Sequence, residues 1–357
     1  MRGGTRAPFC SVATVDDLIE YLRMPPTVYI NASCLPASPP VTSCPAEAAA
    51  RDQPARIVDI FLFFAEVDTL EIRLHELDDL VDLFVLVQSD RDHHGVAYAP
   101  FASELFAKDP RFTRFSHKVE VITVHDWRPP TSGTTNWAFE HRTMRAAATY
   151  ARGQPAGTLI IFGHSDEVPA RSTVWKARHC DVRLPLNVGA WFPPGDLRYA
   201  YRSDWPAQGH PFTLGDPLIA RAEQIRDAPS LLRARDDGLP RGKMTHVLLG
   251  GFHASSYCYP PAMLLKALTA TEHVRRFNLS QLLSTNCQPA RLMEPCRRSH
   301  EFETPARVLP VGNVPMSSEI ATLPWLLACN PRRFPSWFGK VDQRMWAART
   351  SKQAESV

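Results

Sequence analysis

No stretch of this sequence approaches the ~18 consecutive apolar residues of a membrane-spanning helix. The N-terminus, MRGGTRAPFCSVATV, carries charge but lacks the apolar core of a signal peptide. The chain is therefore expected to be soluble, or anchored by a segment it does not contain. Common nucleotide signatures are absent: there is no G-x-x-x-x-G-K-[ST] loop and no G-x-G-x-x-G opening a helix. His-Glu-x-x-His is missing too. None of the eight cysteines forms a Cys-x-x-Cys pair, which argues against a structural zinc site. No run of like charge reads as a nucleic-acid arm: 40 basic residues face 37 acidic ones, for a net charge of +3.

What is present is an ordinary globular composition, with 44% hydrophobic residues, enough for a sizeable core. Its 357 residues allow one large or two modest domains. Proline is in excess: 32 of 357 residues is about 9%, against roughly 5% on average, so many stiff loops are expected. Cys287 and Cys296 are close enough in sequence for a bridge, and free buried thiols are the alternative. The triplets Asn31-Ala32-Ser33 and Asn278-Leu279-Ser280 are glycosylation sequons that weakly favour a secretory compartment.

Prolines 25, 26, 36, 39, 40, 45 and 54 punctuate a Ser/Ala-rich start, so residues 1–55 read as an appendage. Only Val15–Leu22 suggests a helix there, and most of 24–55 reads as a mobile linker. From Arg56 the pattern changes. Ile57–Phe64, Leu83–Gln88, Val119–Val124 and Thr158–Phe162 are apolar runs of strand length. Between them lie a helix over 66–80, with Val67, Leu70, Leu74, Leu77 and Val81 at 3/4 spacing, and another over Trp137–Ala151. Glu71, Arg73 and Glu76 take the other faces of the first helix. Four strands with intervening helices predict an α/β layer with a mostly parallel sheet. Beyond 180, strands are expected at Leu184–Phe192, Leu197–Arg202 and Val247–Gly250. Helices are expected near 217–226, 261–272 and 318–328. Residues 56–340 form the main domain in this reading, and 341–357 a C-terminal tail.

The stretch with most chemistry is Leu159–Ala170, LIIFGHSDEVPA. An apolar strand ends there in His164, Ser165 and Asp166, with Glu167 behind them. In open α/β sheets the ligand crevice lies outside the carboxyl ends of the strands. A carboxylate there can hold a divalent cation, which in turn holds a diphosphate. A solvated turn before the next helix is the bland alternative. Gly163–Glu167 also nearly matches the G-x-S-x-G elbow of α/β-hydrolases, in which Ser165 would attack an ester. The bulky Glu167 at the last glycine position argues against that. His93-His94 reads as part of a solvated charged loop.

This segment resembles the strand-end Asp-x-Asp-Glu-(Ile/Val)-Pro element of glycosyltransferase family 17. Other blocks match in order. Ile57–Leu77, IVDIFLFFAEVDTLEIRLHEL, resembles the family's opening strand and Phe-Phe-x-Glu-x-Asp-x-Leu-Glu-Ile-Arg-Leu helix. Phe84–Gly95 resembles its second strand and following loop. Trp137–Ala146 resembles a Trp-x-x-Glu helix that also carries Arg. Gly250–Ser255 resembles a Gly-Trp-His-x-Ser block, and Leu323–Trp337 the closing segment. Three positions depart from the family: His164 replaces an Asp, Gln88 a Glu and Ala146 an Asn.

The resemblance implies a GT-A-like fold with a mixed central sheet. It implies inverting transfer of N-acetylglucosamine from UDP-N-acetylglucosamine to the 4-hydroxyl of a β-linked mannose in an N-glycan. It places Asp166 and His164 as ligands of a divalent cation, Mn²⁺ suiting the imidazole better than Mg²⁺. Glu167 is then the candidate catalytic carboxylate, and Glu66, Arg73, Arg91, Arg145 and His253 line the donor site. The implied partners are the nucleotide sugar and a glycan or glycoprotein acceptor, and the implied location is the Golgi or secretory pathway. A non-catalytic nucleotide-sugar-binding descendant is the alternative, followed by the Ser165 hydrolase.

Overall fold

The computed structural model describes residues 15–31, 43–92, 95–125, 138–193, 195–201, 213–225, 247–254, 259–269, 308–311, 323–340 and 342–346. The His93-His94 pair, the Asn278 sequon, Cys287 and Cys296 lie outside them, as does Ser255 of the Gly250–Ser255 block.

The first half alternates strand and helix: β1 (Ile57–Leu62), α2 (Val67–Leu77), β2 (Leu83–Ser89), α3 (Ala102–Lys108), β3 (Val119–Val124), α4 (Ala138–Arg152) and β4 (Leu159–His164), of which α3 is a helix that the sequence reading does not include. Before them comes α1 (Val15–Arg23). After them come β5 (Glu167–Pro169), α5 (Arg171–His179), β6 (Leu186–Trp191), β7 (Tyr199–Tyr201), β8 (Thr213–Arg221), β9 (Val247–His253), α6 (Pro260–Thr269), β10 (Val308–Pro310) and α7 (Trp325–Cys329).

Eight strands form one sheet in the order β3-β2-β1-β4-β8-β6-β9-β5. The pairs β1–β2, β1–β4, β2–β3 and β6–β9 are parallel, and β8 and β5 run antiparallel to their neighbours. This is the mixed α/β sheet that the sequence predicts, and it is consistent with a GT-A-like layer. Helices cover both faces, because alternate residues of each strand point to opposite sides. Phe61, Leu86 and Ile161 join the core on the α2 side, and Ile60, Val87 and Ile160 join the α4 side.

Residues 217–225 differ from the helix expected near 217–226. Leu218, Ala222 and Ile225 have helical spacing, yet this is the central strand β8 followed by a short 3-10 turn. Leu218 and Ala220 pack on one core and Ile219 on the other. A strand buried on both faces reads as a continuous apolar run, which periodicity does not tell from a helix.

The polar side of α2 also departs from expectation. All eleven of its residues are buried, Glu71, Arg73 and Glu76 included. Burying charges requires partners, and each has one. Asp68 pairs with Arg344, Glu71 with Arg333 and Arg73 with Asp59. Glu76 accepts the backbone N–H of Trp325 at 2.8 Å.

Those pairings tie in the segments read as appendage and tail. Leu18, Ile19, Tyr21 and Leu22 of α1 belong to the main core. Arg333 donates to the carbonyl of Val28, and Asn31 N–H to the side chain of Asn330. Arg344, two per cent exposed, holds residues 342–346 against α2. Residues 49–55 run beside the end of α5 through hydrogen bonds to residues 178–181. Cys44 is disulfide-bonded to Cys180 across 136 residues, and Cys329 is disulfide-bonded as well. For these three cysteines the free-thiol reading is corrected.

Candidate functional site

The chain lays down β1, β2 and β3 in one direction, then returns to place β4 on the other side of β1. The reversal of strand order falls at the carboxyl ends of β1 and β4, the usual ligand position in such sheets. Phe63–Glu66 leaves β1 there, and Ser165–Glu167 leaves β4. The two exits are tied together. Ser165 N–H donates to the carbonyl of Leu62 at 2.9 Å, and its hydroxyl donates to Glu66 Oε2 at 2.9 Å. The same Glu66 oxygen accepts the backbone N–H groups of Phe64 and Ala65. Glu66 thus stands at the N-terminal end of α2, where negative charge is favoured.

The turn itself gathers His164, Asp166 and Glu167. Their ligand atoms lie within 4.8 Å of one another, the arrangement that a cation needs. His164 is bracketed. Its Nδ1 lies 3.1 Å from Glu167 Oε1, and its Nε2 lies 3.2 Å from Glu140 Oε1 on α4. Glu167 is fully buried and its Oε2 accepts the His164 backbone N–H at 2.9 Å. The side chain can fold back in this way because residue 163 is glycine. A Cβ there would stand 2.5 Å from Glu167 Oε2 and 2.8 Å from Pro217 Cβ.

Arg73 supports the turn from below. Fully buried, it grips Asp59 at two points and donates to the carbonyls of His164 and Glu167. This corrects its place among the donor-lining residues: it positions the turn from within the core. Arg91 sits after β2 and donates to the carbonyl of Gly95 at 3.1 Å. Arg145 is exposed on α4, where it donates to the carbonyl of His141. Five residues turn a helix by about 500°, so Arg145 and Glu140 point about 140° apart. The structure therefore does not bring Arg145 to the His164 turn.

His253 is brought close. In the antiparallel pairing of β5 with β9, Glu167 lies opposite His253, and Ala254 N–H donates to the carbonyl of Asp166 at 2.7 Å. Directly opposed residues share a face of the sheet. A Cβ at Gly251 would stand 3.0 Å from Val188 and 3.2 Å from Ala190, so glycine here permits the close approach of β6 and β9.

Two residues of the site have little or no signal in the sequence. Glu140 is visible only as part of the helix block Trp137–Ala146. Lys266, on α6, places its Nζ 3.9 Å from Asp166 Oδ2, and nothing in its local sequence marks it. Gln88 is buried and bonded to Thr123 and to the backbone of Ala102. The hydrolase reading finds no support. Ser165 is one per cent exposed, its hydroxyl is committed to Glu66, and β5 follows where an elbow requires a helix.

The geometry describes an α/β chain with an acidic turn at the reversal of its sheet. Residues 43–188, which include that turn, match the family model of glycosyltransferase family 17. The resemblance of the chain to that family is thus shown over this segment, while the blocks at Gly250–Ser255 and Leu323–Trp337 lie beyond it. Among curated proteins, the β-1,4-mannosyl-glycoprotein 4-β-N-acetylglucosaminyltransferase of Rattus norvegicus is 27% identical over 160 residues, covering 41% of this chain and 29% of that protein. The protein of the same name from Homo sapiens is 27% identical over 160 residues, covering 41% of this chain and 30% of its own length. The chain thus spans less than a third of the curated relatives that it matches.

Proposed function

We propose that this chain is an inverting glycosyltransferase. It moves N-acetylglucosamine from UDP-N-acetylglucosamine to the 4-hydroxyl of a mannose in an N-glycan, making a β-1,4 linkage. One observation carries the reading: the acidic turn His164–Glu167 stands at the reversal of the sheet and inside the segment that matches the family.

The donor set fits a divalent cation, with one imidazole and two carboxylates converging. In this reading Asp166 and His164 hold Mn²⁺, with Glu167 behind them. Such a cation, when bound, offsets charge on the departing UDP. The rest falls to the chain itself. Glu167 orients the imidazole and the backbone of the turn, Arg73 pins its carbonyls, and Glu66 locks it to the exit of β1. Such preorganisation holds the donor in line without reorganisation cost. Glu167 is therefore a positioning residue, since full burial keeps it from an acceptor hydroxyl.

Among the described residues no helix is long and apolar enough to cross a membrane. The Cys44–Cys180 bridge favours an oxidising compartment, in keeping with a secretory-pathway or Golgi location. Incubation with labelled UDP-N-acetylglucosamine and an N-glycan core acceptor tests the reading. Sugar transfer that is lost in Asp166→Asn supports it. Binding without turnover supports a non-catalytic descendant instead, and neither binding nor turnover overturns it.

A further inference from the structure

Among the described residues, the carboxylates gathered around the acidic turn come from the first half of the chain: Glu66, Glu140, Asp166 and Glu167. The second half brings basic groups to the same place, at His253 and Lys266. Lys266 is delivered by a rigid element. The α6 residues Leu264 and Leu265 are buried in the main core. Just before the helix, the Tyr259 hydroxyl donates to the carbonyl of Tyr21 at 3.0 Å, which ties α6 to α1. The Lys266 side chain is 35% exposed, and the Asp166 side chain beside it 9%. The ammonium is thus the more solvent-facing partner of the pair. Its separation from Asp166 Oδ2, 3.9 Å, is close enough for charge attraction and too long for a hydrogen bond.

We propose that Lys266 is the protein's own cationic contact for the diphosphate of the donor, acting with or without a divalent ion. The proposal rests on the nucleotide-sugar reading above. A diphosphate beside the acidic turn stands next to the Asp166 carboxylate and needs fixed positive charge to stay. A lysine ammonium is a compact charge with three rotatable donors on a flexible stem, well suited to phosphoryl oxygens. The ammonium already stands beside the acidic turn, 3.9 Å from Asp166 and partly open to solvent.

Calorimetric titration of the full chain with UDP and with uridine, each in EDTA and in Mn²⁺, tests the proposal on wild type, Lys266→Gln and Lys266→Arg. The expected result is at least a tenfold loss of UDP affinity in Lys266→Gln in both media. Uridine binding should stay unchanged and Lys266→Arg should recover most of the loss. An affinity for UDP within twofold of wild type in Lys266→Gln would overturn it. Equal losses for UDP and uridine would overturn it too, since they would mark a structural role. Wild type that binds neither ligand in either medium would instead refute the nucleotide-sugar reading on which it rests.

Discussion

Arg73 and Asp59 form a two-point ion pair between α2 and β1, with Nε 2.8 Å from Oδ2 and Nη2 2.6 Å from Oδ1, and neither side chain reaches solvent. The remaining guanidinium nitrogen holds the carbonyls of His164 and Glu167. One arginine therefore links the opening helix to the acidic turn, which lies about ninety residues further on. Removing one member of a buried pair leaves an uncompensated charge, at a cost of about 3–5 kcal/mol. Arg73→Met should lower stability by that amount, and Asp59→Leu in the same chain should recover part of it. Urea denaturation of both variants checks this.

Gly163→Ala should disturb the site from a position that carries no functional group. The new Cβ would displace the Glu167 carboxylate from the His164 N–H, or push against Pro217. Overpacking of this kind costs about 1–3 kcal/mol. The melting temperature should fall, and with the metal site proposed above Mn²⁺ affinity should fall too.

His75 and Glu76 give α2 a pH signature. Burial, the largest cause, lifts the Glu76 pKa from 4.5 to about 7, opposed by the Trp325 N–H and Arg171. Burial also lowers the His75 pKa from 6.5 to about 4, helped by Arg114. The raised Glu76 pKa contributes stability that is full below pH 4.5 and lost as pH rises through 7. The lowered His75 pKa contributes stability that is full above pH 6.5 and lost as pH falls through 4. The two slopes oppose each other over the shared range. Glu76→Gln should remove one of them and gain on wild type by about 3 kcal/mol as pH rises from 4.5 to 7. Denaturation midpoints across that range measure the gain.

His164→Asp should make the fold depend on a cation. The imidazole now stands between Glu140 and Glu167, and a carboxylate there would crowd like charges. Without divalent ions the variant should melt below wild type. With Mn²⁺ or Mg²⁺ at 100 times the dissociation constant it should regain about 2.7 kcal/mol. Thermal melts in EDTA and in metal decide it, independently of turnover.

Loss of the Cys44–Cys180 bridge should cost about 2–5 kcal/mol, because it closes a long loop. The double variant Cys44→Ser/Cys180→Ser, compared with wild type in guanidinium, checks the value.

The first four strands were legible because each is a short apolar run bounded by turns, and the helices between them keep 3.6-residue spacing. The acidic turn was legible for a local reason as well: His164, Asp166 and Glu167 are neighbours in sequence. Glu140 and Lys266 were not legible as site residues, since α4 and α6 carry them to the turn only when the layers pack. Arg73 and Glu167 carried the right types for a site, and only the packed structure shows that both are fully buried. Gly163 shows its purpose only against Glu167 and Pro217.

The sequence by itself determined the α/β alternation, the acidic turn at the end of β4 and the resemblance to glycosyltransferase family 17, because each is written in contiguous residues. Only the tertiary structure decided that α2 is buried on every side, that α1 joins the main core and Arg344 pairs with Asp68, and that Cys44 finds Cys180. Local periodicity records which residues avoid water, but not which distant charges will follow them inside. A buried Asp68, Glu71 or Arg73 is tolerable only once Arg344, Arg333 and Asp59 have been brought to it, and that meeting is a property of the packed chain.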